Sequence, residues 1–185
     1  PDPGTTFSGG GGTNLGYDMA MTNEWLVVGD PQRREIRIYR FDCVNWHWHQ
    51  TIQNGGQDGF GQSVDIHGNR IVVGAPAYNV VTVYERNPNS NLFEQDVFIN
   101  LFSINNEINY PDPGQCTSGL PADQFGFDVA THGEYVVVSA PGRSDCYQDG
   151  IVYAYRKQGD NWSQVLYHYY FGANNSEGRQ GHSVD

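Results

Sequence analysis

Hydrophobic and polar residues alternate over short stretches of this chain, and short β-branched runs follow them. From Phe60 to His67, the side chains of Phe60, Gln62, Val64 and Ile66 fall on one face of an extended segment, with Gly61, Ser63 and Asp65 on the other. A tight turn at His67-Gly68-Asn69 leads into a second strand, Arg70 to Ala75. Pro76 closes it, because proline lacks the amide that a central strand needs. The same hairpin returns twice. Leu15-Gly16-Tyr17-Asp18-Met19-Ala20 leads to Trp25-Leu26-Val27-Val28-Gly29-Asp30-Pro31, and Phe125-Gly126-Phe127-Asp128-Val129-Ala130 leads to Tyr135-Val136-Val137-Val138-Ser139-Ala140-Pro141. From the first-strand glycine to the start of the Gly-Ala-Pro-like triplet is 13 positions in every copy, while the copies themselves lie 45, 65 and 55 residues apart. Constant spacing inside a unit with variable spacing between units marks repeats carrying loop insertions. A fourth copy opens at Gln180-Gly181-His182-Ser183-Val184-Asp185.

Each unit continues with a third strand, Ile36-Arg37-Ile38-Tyr39-Arg40, Val81-Thr82-Val83-Tyr84-Glu85 or Val152-Tyr153-Ala154-Tyr155-Arg156. A fourth strand then opens on Trp46, Leu92 or Trp162. The spacing predicts strands at 15–21, 24–29, 35–41 and 46–52, at 60–67, 70–75, 80–86 and 92–99, and at 125–131, 134–140, 150–156 and 162–169. No stretch keeps a helical period. The fold class is all-β, and four short strands in a unit of about 45 residues is the size of a β-propeller blade. The chain divides into a linker or loop (1–14), blade one (15–57), blade two (58–99), an inserted loop (100–122), blade three (123–179) and the first strand of a further blade (180–185). Three blades leave exposed edges that template more pairing. The expectation is part of a larger propeller, completed by more of the same polypeptide or by neighbouring subunits.

Phe60-Gly61 followed by Gly74-Ala75-Pro76 resembles the FG-GAP repeat, which builds the propeller of integrin α-subunits and of many extracellular microbial proteins. The likeness extends over about residues 15–170; unit three has Ser139-Ala140-Pro141, and unit one has Leu15 for Phe and Asp30 for Ala. The resemblance implies that these motif residues are architectural. It also implies a place to look for calcium, the turn between the first two strands. Here those turns are Met21-Thr22-Asn23-Glu24, His67-Gly68-Asn69 and Thr131-His132-Gly133-Glu134, too short and too poor in carboxylates for that hard cation. This is a variant without the calcium loop, and no cofactor is expected.

Composition narrows the function. The formal charge is −11, with Lys157 the only lysine, which argues against a nucleic-acid partner. No apolar run approaches the ~18 residues of a membrane-spanning helix, so membrane insertion is not expected. Abundant glycine (23 residues) and tyrosine (12) suit short strands and tight turns. No nucleophile–base pair, spaced carboxylate pair or phosphate loop is recognisable, and Gly9-Gly10-Gly11-Gly12 lacks the following Lys-Ser/Thr. The chain is not expected to be an enzyme. Asp145-Cys146-Tyr147-Gln148-Asp149-Gly150 reads as turn chemistry rather than a calcium loop. His47-Trp48-His49 has the register of a two-imidazole zinc site, but the reading preferred here packs Trp46 and Trp48 against the next blade and turns both histidines outward.

In a four-stranded meander, the loop between strands two and three lies on the same rim as the link from the previous blade. That places Cys146 near Cys116 of the 100–122 insertion, and a Cys116–Cys146 disulfide is expected. Cys43, in a third-to-fourth-strand turn on the opposite rim, has no partner in the chain. The sequons Asn161-Trp162-Ser163 and Asn174-Asn175-Ser176 fall in a turn and an inter-blade loop, which makes Asn161 and Asn174 candidate glycan acceptors. Leu101, Phe102, Ile104, Ile108 and Tyr110 make the insertion a candidate partner-binding loop. The reading is a non-catalytic extracellular or cell-surface module for adhesion or assembly, with protein partners or copies of itself. A glycan-binding propeller and an accessory domain of a larger secreted enzyme are the alternatives.

Overall fold

The structure is a computed structural model that describes residues 11–100, 124–142, 150–169 and 184. Among the described residues, twelve strands form three antiparallel sheets, each a meander of sequential neighbours. Sheet one holds β1 (Met19–Met21), β2 (Trp25–Asp30), β3 (Glu35–Phe41) and β4 (Trp46–Gln53). Sheet two holds β5 (Ser63–His67), β6 (Arg70–Ala75), β7 (Val80–Arg86) and β8 (Phe93–Asn100). Sheet three holds β9 (Val129–His132), β10 (Tyr135–Ala140), β11 (Ile151–Gln158) and β12 (Asn161–Tyr169). Second, third and fourth strands fall within two residues of the sequence expectation at their starts.

The first strands do not. They begin at Met19, Ser63 and Val129, three or four residues later than alternation predicts. Gly16, Gly61 and Gly126 sit at φ of +88°, +88° and +86°, a conformation closed to most L-residues, so the Phe-Gly segment is a turn and not a strand. Each of these glycine amides donates to the carbonyl at the Gly-Ala-Pro position: Gly16 to Gly29 (2.9 Å), Gly61 to Gly74 (3.1 Å), Gly126 to Ser139 (2.9 Å). The turn drops Phe60 and Phe125 into the interior, where both are fully buried.

Two apolar layers separate the three sheets. Trp25, Val27, Ile36 and Ile38 of sheet one meet Phe60, Val64, Ile66, Ile71 and Val73 of sheet two. Val72, Val81 and Val83 of sheet two meet Phe125, Val129, Val136, Val138 and Tyr153 of sheet three. Strand β6 is buried at all six positions because its side chains alternate between the two layers, Ile71 and Val73 one way and Val72 the other.

Between the layers the backbones touch at glycines. A Cβ on Gly29 would lie 2.0 Å from the Gly61 carbonyl oxygen, and one on Gly74 would lie 2.1 Å from that of Gly126. No other residue fits there.

Each sheet also carries a β-bulge between its third and fourth strands, always beside a tyrosine: at Ile38/Tyr39, Val83/Tyr84 and Ala154/Tyr155. The extra residues on the fourth strands are His49, Asp96 and Val165, each skipped by the pairing register. A bulge re-aims a side chain. In the first two sheets it turns His49 and Asp96 towards the next sheet: the His49 ring bonds the Asn91 carbonyl (2.9 Å), and Asp96 accepts from Lys157 (2.9 Å) and Trp162 (2.8 Å).

Candidate functional site

Propellers assemble sites where the first strands of successive blades converge. Here that region carries Asp18, Asp65 and Asp128. In each, Oδ1 accepts the amide of the following residue: Met19 (2.9 Å), Ile66 (2.8 Å) and Val129 (3.0 Å). Oδ2 reaches into the next unit and accepts a backbone amide there: Val64 (2.7 Å), Thr131 (2.5 Å) and Val184 (2.7 Å). Burial raises the Asp18 carboxyl above its ordinary range; the Val64 and Met19 amides pull the other way, and the charges of Asp128 and Asp65 add to the rise. Nevertheless every carboxylate oxygen in this row already has a backbone partner. The aspartates are inter-sheet clasps, with one backbone amide on each carboxylate oxygen.

Some of the remaining polar groups of the interior are committed as well, although the buried Trp25 Nε1 and Asp30 Oδ2 have no hydrogen-bond partner among the described residues. Ser63 donates from its hydroxyl to the Gly126 carbonyl (2.9 Å), and Asn79 accepts the Phe125 amide (3.0 Å). Burial pushes the Tyr84 hydroxyl up to about 12, which keeps it neutral near pH 7. Among the described residues, no group of three or more His, Cys, Asp or Glu is placed to hold a metal ion.

The His47-Trp48-His49 strand departs from the sequence reading. Trp48 is the exposed member, at 65 %, with its indole N–H donating to Thr51 Oγ1 (3.1 Å). His49 turns inward instead, 4.9 Å from the Trp25 ring. The bulge at His49 is the cause, since it breaks the simple alternation on which the reading rests. His47 is exposed and bonds Asp42 (2.7 Å), and Trp46 stacks on Phe41 at 5.1 Å. Asp42 also accepts the Asn45 and Val44 amides, and these bonds with that of His47 hold its carboxyl down at about 2. The two rings have separate partners, His47 at Asp42 and His49 at the Asn91 carbonyl.

Of the other residues singled out from sequence, Asn161 is exposed at the start of β12, directly after the turn at 159–160. Its sequon partner Ser163 is exposed too. Cys43 is a free, exposed thiol. Cys116, Cys146, Asn174 and the loop residues Leu101, Phe102, Ile104, Ile108 and Tyr110 lie outside the described residues. No helix among the described residues is long and apolar enough to cross a membrane.

The carboxylate clasps and the inter-sheet seams were not read from the sequence. One signal was present: an acid stands two or four residues after the first-strand glycine in every copy, Asp18, Asp65 and Asp128, with Asp185 in the fourth.

None of the curated protein sequences matches this chain. Sqt1 of Saccharomyces cerevisiae superposes with a TM-score of 0.58 at 11% identity, over 86% of this chain and 37% of that one. A protein from Lactobacillus plantarum gives 0.53 at 12%, over 84% and 41%. A europium-containing methanol dehydrogenase gives 0.51 at 9%, over 86% and 27%. The chain thus spans well under half the length of these solved chains, and at such identities the likeness shows the fold alone. Sqt1 and the methanol dehydrogenase are β-propeller proteins. The FG-GAP repeat model matches residues 54–84 and 118–155, the spans that hold both glycine-anchored hairpins of sheets two and three. With the meander repeated three times and these matches on two of its copies, the chain has a β-propeller fold and carries FG-GAP repeats at residues 54–84 and 118–155.

Proposed function

We propose that this chain is a non-catalytic interaction module of an extracellular or cell-surface structure, presenting protein-binding surfaces on a rigid stack of blades. One observation carries the reading: the aspartates where the first strands converge are engaged in clasping one unit to the next, while the outer strands keep large apolar side chains in water. Trp48 on β4, Phe98 on β8 and Leu166 on β12 are all among the exposed large hydrophobics. Aromatic side chains such as Trp48 and Phe98 are enriched at protein interfaces. The acidic balance of −11 favours a partner surface with basic groups at its rim.

The 100–122 insertion extends this surface in the proposal, with Leu101, Phe102, Ile104, Ile108 and Tyr110 as contacts and a Cys116–Cys146 disulfide pinning it. Glycans at Asn161 and Asn174 would mark the secretory route. The test is light scattering and electron microscopy of the secreted, glycosylated chain. Concentration-dependent association that is lost in Trp48→Asp and in a deletion of residues 100–114 supports the reading. A strictly monomeric chain in which both changes are silent refutes self-association, and unmodified Asn161 and Asn174 argue against the extracellular setting.

A second reading has its own support. Trp48 offers a flat, solvent-exposed indole whose orientation is fixed by Thr51, the kind of face that stacks on a sugar ring. Binding on a glycan array that disappears in Trp48→Ala would favour it over a protein partner.

A further inference from the structure

His67 and His132 occupy equivalent places: each ends the first strand of its sheet, and each is followed by a glycine at positive φ, Gly68 at +60° and Gly133 at +57°. The two-residue turns that follow let β5 and β9 finish side by side, and both histidines are exposed. Their rings meet across the seam between sheets two and three, with centroids 4.3 Å apart and planes at 56°.

We propose that His67 and His132 together hold a divalent transition ion of the zinc, copper and nickel class. Neutral imidazole is the common ligand of these borderline cations. A metal–nitrogen distance of about 2.0–2.1 Å and a tetrahedral angle place two coordinated ring centroids roughly 5 Å apart. The rings as they stand need to open by less than about 1 Å, which side-chain torsions supply without moving either strand. Water completes the coordination, as it does wherever a site offers fewer protein ligands than the ion accepts.

The surrounding charges permit a cation. Asp65 lies two residues back on the same side of β5 as His67; its oxygens are held by the Ile66 and Thr131 amides, so it contributes negative field and not a ligand. The nearby cation, Arg70, is paired with Glu85 at 2.7 Å and donates to the Gly133 carbonyl. Its charge is already compensated. The seam between sheets one and two lacks the feature, because the position equivalent to His67 and His132 is Thr22.

The full chain, freed of metal, is titrated with Zn2+ by calorimetry and with paramagnetic Cu2+ by NMR. The expected result is that Cu2+ broadens the ring signals of His67 and His132 before those of the other histidines. His67→Asn and His132→Asn each weaken Zn2+ binding tenfold or more, whereas His47→Asn binds as the parent does. Zn2+ should also raise the melting temperature of the parent and of His47→Asn, but not of the two seam variants, whose melting in EDTA matches the parent. Broadening that starts elsewhere, parental affinity in either seam variant, or no uptake at millimolar Zn2+ overturns the proposal.

Discussion

The two seams of this molecule share a skeleton and differ in how they are filled. Both bring a glycine of one sheet against a glycine carbonyl of the next, Gly29 on Gly61 and Gly74 on Gly126. Both are clasped by a forward-reaching aspartate. Away from these points they diverge, and the divergence starts at a single position, the first residue of the second strand. In sheet one it is Trp25, buried to 1 % exposure. Arg40 and Arg86 each stand 5.6 Å from its ring, and Phe93 meets it edge-on at 5.1 Å. In sheet two it is Arg70, whose guanidinium lies 4.9 Å from the Trp162 ring and pairs with Glu85. Lys157 bridges Glu85 (3.4 Å) and Asp96 (2.9 Å). One seam is aromatic with cations around it; the other is ionic with an aromatic lid. The lesson is that the repeat prescribes backbone approach, while the side-chain chemistry between blades is free to invert.

The glycine contacts test what the seams share. Gly29→Ala and Gly74→Ala should each cost more than about 4 kcal/mol, because the new methyl collides with backbone that cannot retreat. Gly68→Ala, which meets open space, should lose only ~1 kcal/mol through its positive φ. Urea unfolding midpoints check all three. Tolerance at one seam only would mean that the skeleton itself is not common.

Next comes the position where they differ. Trp25→Ala should cost about 3–5 kcal/mol. Arg70→Ala should cost about half as much, since Glu85 keeps Lys157 as a partner. High salt should shrink the Arg70 effect slightly, through its half-exposed partner Glu85, and leave that of Trp25 unchanged. Equal salt sensitivity would erase the distinction.

Asp65→Ala should cost ~1–2 kcal/mol by stripping the Thr131 amide of its acceptor. Hydrogen exchange at Thr131 should accelerate while that at Val64, held by Asp18, stays slow.

The smallest effect is the pH response of the ionic seam. Burial alone would raise the Asp96 carboxyl, but the bonds from Lys157 and Trp162 outweigh it and the net shift is downward. A depressed carboxyl contributes stability that is present above its unfolded value near 3.8 and is lost as pH falls through the lower folded value. Burial alone would lower the Lys157 ammonium, yet Asp96 and Glu85 carry it above 10.5, so its contribution is complete below 10.5 and vanishes as pH rises through the folded value. Each is expected to be a few tenths of a kcal/mol. Asp96→Asn should flatten the acid limb and reduce the alkaline one, where Glu85 still holds Lys157; Trp25→Ala should change neither.

Much of this architecture was legible in the chain. A fixed interval of 13 residues between glycine and triplet locates the hairpins, and the run Ile71-Val72-Val73 announces a strand buried on both sides. Alternation misplaced the first-strand starts because it cannot tell an extended Phe-Gly from one turned at positive φ. It also misjudged His49 and Trp48, since one extra residue in a strand exchanges the faces of its neighbours, and nothing in the letters marks the bulge. The clasping aspartates were visible as residues but not as a role. An acid in a strand looks solvated until the neighbouring unit's amide arrives to meet it.

The clasp has a direction. In all three cases the carboxylate belongs to the earlier unit and the amide to the later one. Units two and three each carry one hook and one eye, in registers that alternate along the chain, so the two together form a piece that can be duplicated without designing a new joint. A gene that copies this stretch in frame inherits its own connector.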